Sequence, residues 1–231
     1  MKPLKSETQD AATLQELGRA SVQIVHDLKN QLNGLKLYAT FLRKRMEKSE
    51  RPQDEQETIA KLIAGLERAA ADMTTLVRYG RPVELRRQPQ TNLLKILKGL
   101  ENGEGVNVEA EAAELAGDFD AASLSEAFKL ITSFALNTRP AEDSASVRIH
   151  LRSNEDGRLA VIEWRGVKND GGDPFHSFAG SEGLRMSLAA KIIETHGGEV
   201  AHARDTLRVR LPLASQEPSA FSDQHSATAN R

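Results

Sequence analysis

The chain has 231 residues, enough for one medium domain or two small ones. Hydrophobic residues make up 39%, charged residues 28% and aromatics 4%, which suits helices packed through Leu, Ile, Val and Ala better than an all-β sandwich. A formal net charge of -2 gives no basic field for nucleic acid, and the absence of cysteine removes disulfides and thiolate metal sites.

The opening residues, MKPLKSETQD, lack the apolar core of a signal peptide. No run approaches the roughly 20 apolar residues of a membrane span. The expectation is a cytoplasmic protein with no membrane contact, reached by its stimulus through a partner.

Residues 1–12 are polar and unpatterned and read as a flexible lead. From Leu14 to Met46 the chain reads as one long helix. Gly18, Ser21, Val25, Leu28, Leu32, Leu35, Ala39 and Leu42 step by fours and threes, a heptad seam. Arg19, Gln23, Lys29, Asn30, Arg43 and Lys44 lie off it. A polar stretch from Glu47 to Asp54, with Pro52, breaks the helix. A second helix is expected from about Gln53 to Arg78, with a seam of Ile59, Leu62 or Ile63, Leu66, Ala69 or Ala70, Met73 and Leu76. The short connection makes the helices antiparallel neighbours. Because a lone hairpin buries one stripe of each helix, a four-helix bundle formed by a homodimer is the expected solution.

Gly80-Arg81-Pro82 ends the hairpin, and the pattern then changes. A short helix is expected over Asn92–Leu100 and a strand over Val106–Glu109. Ser123 to Leu136 reads as a helix capped by Ser123, with Glu126 at capping-box spacing. Strands follow at Val147–Arg152 and Leu159–Arg165. A helix over Ser187–Thr195 closes on His196-Gly197-Gly198, and Leu207–Leu213 alternates as a strand. This is an α+β chain: residues 13–82 form the hairpin, 83–214 an α/β sandwich, and 215–231 a polar tail expected to be disordered.

The chemistry concentrates on the first helix, in His26-Asp27-Leu28-Lys29-Asn30. Val25 and Leu28 belong to the seam, so His26 one position off it is expected to project from the flank. A neutral imidazole there can attack phosphorus. Asp27 can hold the other ring proton. Asn30, four residues on, shares the face of His26. Spacing alone favours an ordinary surface histidine with polar helix neighbours, because His-Asp pairs occur by chance. A metal site is not expected, since no second histidine or carboxylate pair stands at ligand spacing.

Val25-His26-Asp27-Leu28-Lys29-Asn30-Gln31-Leu32 resembles the phosphoacceptor box of sensor histidine kinases: His, an acid, two variable residues, Asn or Thr, then commonly Pro and Leu. The resemblance implies that His26 is phosphorylated, Asp27 assists the transfer and Asn30 helps dephosphorylate the partner. Gln31 replaces the usual proline. Arg68, and Leu76 through Pro82, resemble the family's hairpin exit.

The order of elements after Pro82 resembles the family's ATP-binding domain, of the GHKL type. Asp120 to Leu124, the Phe175-His176-Ser177-Phe178 segment, Gly183-Leu184 with the following helix, and Leu211-Pro212-Leu213 all have counterparts. The nucleotide boxes are degenerate. Aligned on Ala135, the family's two asparagines become Leu130 and Phe134, and an aromatic ring cannot ligate magnesium. The box of the adenine-contacting aspartate fails on spacing, with Asp170 standing displaced from its position. The last glycine box reads Ser181-Glu182-Gly183-Leu184-Arg185-Met186, with Gly183 alone remaining.

The resemblance therefore implies a histidine phosphotransferase or pseudo-kinase. Such a protein would exchange a phosphoryl group between His26 and the aspartates of response-regulator receiver domains, as a homodimer and without a cofactor. Two alternatives stay open: a soluble histidine kinase using ATP and magnesium, and a non-catalytic dimeric adaptor. His150, His176, His196, His202 and His225 are not expected to accept phosphate.

Overall fold

A computed structural model describes residues 25, 28–46, 53–101, 105–138, 147–168 and 172–214. His26, Asp27, Asp170 and His225 lie outside the described residues, as do the lead 1–12, the break at 47–52 and the tail 215–231.

Residues 28–46 form helix α1, and Gln53–Gly80 form α2, 28 residues and about 42 Å long. Lys36 on α1 pairs with Glu67 on α2 at 2.7 Å, and Ala39 and Ile63 are buried between the helices. The two therefore run antiparallel, as the short connection requires. The seam divides into two stripes. Val25, Leu32, Ala39 and Met46, seven residues apart, are buried or half-buried. Leu28, Leu35 and Leu42, also seven apart, are exposed in the single chain. On α2, Leu62 and Leu76 are likewise exposed, with half-buried Ala69 midway between them.

The rest of the chain is a two-layer α/β sandwich. Five strands lie in the order β2 (Val106–Ala110), β4 (Val147–Ser153), β5 (Leu159–Arg165), β7 (Thr206–Pro212) and β6 (Glu199–Ala203). The β2–β4 pair is parallel and the others are antiparallel. A small second sheet pairs β1 (Gln88–Asn92) with β3 (Ala116–Phe119). Alternation decides the faces. Ile149, Leu151, Ile162, Trp164, Leu207 and Val209 are fully buried under the helices α3 (Leu93–Lys98), α4 (Ala121–Asn137) and α5 (Gly180–Thr195). On the opposite face Glu163 is held by Arg165 at 2.7 Å and Arg208 at 2.9 Å. Burial pushes the Glu163 carboxyl up, but these guanidiniums outweigh it and hold the group below the usual carboxylate range.

Several boundaries differ from the sequence reading. Asp120, not Ser123, caps α4: its carboxylate accepts the N–H groups of Ala122 and Ser123, each at 3.0 Å. The helix thus begins earlier than expected, and Glu126 is free of capping duty. Asn92 caps α3 in the same way, accepting from Leu94 N–H at 2.8 Å. Helix α5 begins at Gly180, seven residues before the expected Ser187. Strands β1, β3 and β6 were not anticipated.

Candidate functional site

Asn30 sits exposed on α1. Leu37 and Phe41 follow it by seven and eleven residues, so all three fall on one face of the helix. Both apolar side chains are more than half exposed, at 55% and 61%. This face thus joins an amide to a bare apolar surface, away from the stripe that packs on α2. Tyr38, on an adjacent line, is also exposed.

The nucleotide-box positions fall on α4 and α5, which pack against each other. Phe134 is buried among the core residues, and Leu130 is half-buried against the same core. Between them, buried Thr132 accepts the indole N–H of Trp164 at 2.9 Å. Phe134 is thus taken up in the core and offers no oxygen ligand for a hard cation.

Gly183 has a packing reason to be glycine. A Cβ built there would stand 2.8 Å from the backbone carbonyl oxygen of Ser177. The same carbonyl accepts the Ser187 hydroxyl at 2.9 Å, fastening the chain before α5 onto the helix. Arg185 pairs with Glu182 one turn back at 3.5 Å, half-exposed on the helix surface.

Behind this region two polar residues tie α4 to α5. Burial pushes the Asp120 carboxyl up, but the N–H groups of Arg86, Ser123 and Ala122 and the Ser123 hydroxyl together hold it below its ordinary value. His196 is 1% exposed, and its Nδ1 donates to the Ile192 carbonyl at 2.8 Å. Burial lowers its pKa, so the ring is held neutral.

His176 is exposed and lies between Asp173 at 2.6 Å and Glu194 at 3.4 Å. The Asp173 carboxylate raises its pKa. Among the described residues no group of three or more His, Asp or Glu side chains is arranged to hold a metal. No helix among them is long and apolar enough to cross a membrane.

The sequence reading missed the side chains that join the two parts of the molecule: Asp72, Arg78 and Tyr79 on α2, and Glu126, Phe178, Ser181 and Lys191 on the sandwich. Each pair is separated by dozens of residues, so no spacing rule reveals it.

No protein-family model matches the sequence, and no curated protein matches it. Solved structures do match the fold. Full-length ShkA in complex with AMPPNP, a histidine kinase, superimposes with a TM-score of 0.58 at 15% identity, over 83% of this chain and 45% of that one. The present chain thus spans less than half the length of ShkA. The histidine kinase AdeS of Acinetobacter baumannii gives a TM-score of 0.49 at 13% identity, over 83% of this chain and 98% of that one. The histidine kinase domain of a blue-light activated kinase from Erythrobacter litoralis gives 0.39 at 11% identity, over 80% and 97%. With its five-stranded sheet and helical layer, the chain has a histidine-kinase-like fold.

Proposed function

We propose that the chain is a two-component phosphorelay protein that passes a phosphoryl group between His26 and receiver-domain aspartates, without using ATP. The observation that carries this reading is Phe134. Its ring is buried in the sandwich core at the position where the resembling family places a magnesium-holding asparagine. Phosphoryl transfer from ATP depends almost wholly on positioning and on charge stabilisation by the metal and nearby donors. An apolar ring supplies neither.

The remaining steps need only the hairpin. An imidazole nitrogen of His26 forms a bond to phosphorus as the bond from phosphorus to the aspartyl oxygen breaks, and the aspartate leaves as carboxylate. Asp27 takes a hydrogen bond from the other ring nitrogen and steadies the positive charge of the phosphorylated ring. The reverse step hands the group to a second receiver. His26 precedes Asn30 by four residues, the spacing of one helix face, and the exposed Leu37 and Phe41 continue that face. An apolar surface beside the acceptor suits a receiver domain as docking partner.

The exposed stripes Leu28–Leu35–Leu42 and Leu62–Leu76 support a homodimer. Seven-residue spacing on α1, and Leu62, Ala69 and Leu76 at the same spacing on α2, is the pattern that two hairpins bury against each other. Residues 13–82 are then the dimerising phosphoacceptor unit, and 83–214 a nucleotide-free sandwich. Calorimetry of the purified chain with ATP and magnesium tests the carrying observation. No saturable binding up to about millimolar nucleotide is expected, the weak end of the affinity scale. Micromolar binding contradicts the reading.

A further inference from the structure

We infer that the sandwich is latched to α2 in one fixed orientation by side chains at two separated points. At the first, the Ser181 hydroxyl in the first turn of α5 donates to Asp72 Oδ2 at 2.5 Å. A carboxylate there also meets the positive end of the α5 dipole. At the second, six residues along α2, the two terminal nitrogens of Arg78 engage the two oxygens of Glu126 on α4, one of them at 2.6 Å. The hydrogen bond that Arg78 donates to the Glu126 carboxylate raises the Arg78 pKa.

Two further groups close the same seam. Lys191 of α5 donates to the carbonyls of Tyr79 and Arg81, the latter at 2.8 Å, and so caps the free carbonyls at the end of α2. Its ammonium also lies 5.1 Å from the Tyr79 ring centre. Phe178 stands edge-on to Tyr79 with ring centres 5.2 Å apart. The linker that follows is itself fastened to the sandwich. Arg86 N–H donates to Asp120 at 2.9 Å, and Arg87 donates to the Thr195 carbonyl at 3.0 Å.

One anchor alone leaves a pivot. Two anchors about 9 Å apart along a helix, on different elements of the sandwich, remove it. The position of the latch is also defined. Lys36 pairs with Glu67, so counting outward in the antiparallel hairpin sets Asp72 level with Gln31 and Arg78 level with Val25. The sandwich is fixed beside the end of the hairpin where the phosphoacceptor box begins.

The latch stands on these contacts alone; its use rests on the proposed function. In that function the sandwich delivers no nucleotide, so transfer at His26 does not require it to move.

Hydrogen exchange of the full chain, read by mass spectrometry, tests it. Glu126→Arg opposes Arg78 with a like charge, and Ser181→Ala removes the other anchor. Both variants are expected to speed amide exchange several-fold across residues 74–80 and 178–184, leaving β4 and β5 at wild-type rates. Arg78→Glu combined with Glu126→Arg is expected to bring the rates back. Equal exchange at 178–184 in the wild type and both variants overturns the latch. So does acceleration spread evenly through β4 and β5, which reports loss of the fold instead. Phosphotransfer does not enter this readout, so the latch and the proposed function fail separately.

Discussion

The backbone N–H of Asp120 donates to Nε2 of His196 at 3.2 Å, joining the start of α4 to the end of α5. The ring nitrogen can accept only while the imidazole is neutral. Burial lowers the His196 pKa below its ordinary value of 6.5. The unfolded chain therefore binds this proton more readily than the folded one, and folding stability falls as pH drops below about 6.5. Asp120 acts in a lower window. Its depressed carboxyl contributes stability above the unfolded value of 3.8 that is lost as pH falls through the folded value. Exposed His176, with a raised pKa, works in the opposite sense, favouring the fold below 6.5. Urea unfolding of wild type and His196→Gln at pH 7.5 and 5.5 isolates the buried ring, because His176 is common to both. The variant is expected to be less stable by about 1–2 kcal/mol at the higher pH, with the gap narrowing at the lower.

Gly183 is the surviving glycine of the last nucleotide box, and its packing explains it without a phosphate. Alanine there would drive a Cβ to 2.8 Å from a backbone carbonyl that cannot turn aside. Gly183→Ala is expected to cost about 1–3 kcal/mol, the range for overpacking. The urea midpoint should fall by the same amount with and without ATP and magnesium. A nucleotide-dependent difference would assign the glycine to ligand binding.

Leu35 is 53% exposed in the middle of the α1 stripe. Leu35→Glu is expected to give a monomer in sedimentation at micromolar concentration, since the dimer would bury an unpaired carboxylate. Circular dichroism should show the sandwich intact, because Leu35 lies outside its core. A wild-type monomer at that concentration contradicts the bundle.

Much of the fold was legible because local rules govern it. The α2 start, the α2–α1 pairing and the strand Leu159–Arg165 follow from period and turn chemistry. The start of α5 was hidden for a physical reason. Leu184, Met186, Leu188, Ala189, Ala190, Ile192 and Ile193 are all buried, so the helix is covered on several sides and shows no clean amphipathic period. Strands β1 and β3 were hidden by polar sequence: Gln88 to Asn92 reads as a loop and pairs only because β3 lies beside it. Ser123 looked like a cap because Glu126 stood at the right spacing, but Asp120 accepts the N–H groups of Ala122 and Ser123 and starts the helix earlier, and Glu126 turns to Arg78. At the candidate site, the sequence offered Phe134 as a departure from the nucleotide boxes and Gly183 as a surviving glycine. What surrounds them, the core cluster at Phe134 and the Ser177 carbonyl at Gly183, is set by tertiary packing.

The central claim is the source of the phosphoryl group on His26. Purified chain is incubated with radiolabelled ATP and magnesium and, separately, with a receiver domain carrying labelled aspartyl phosphate. Acid-labile label is expected only from the receiver, and it should be absent in His26→Gln. Label appearing on His26 from ATP alone, or receiver-derived label persisting in His26→Gln, contradicts the account.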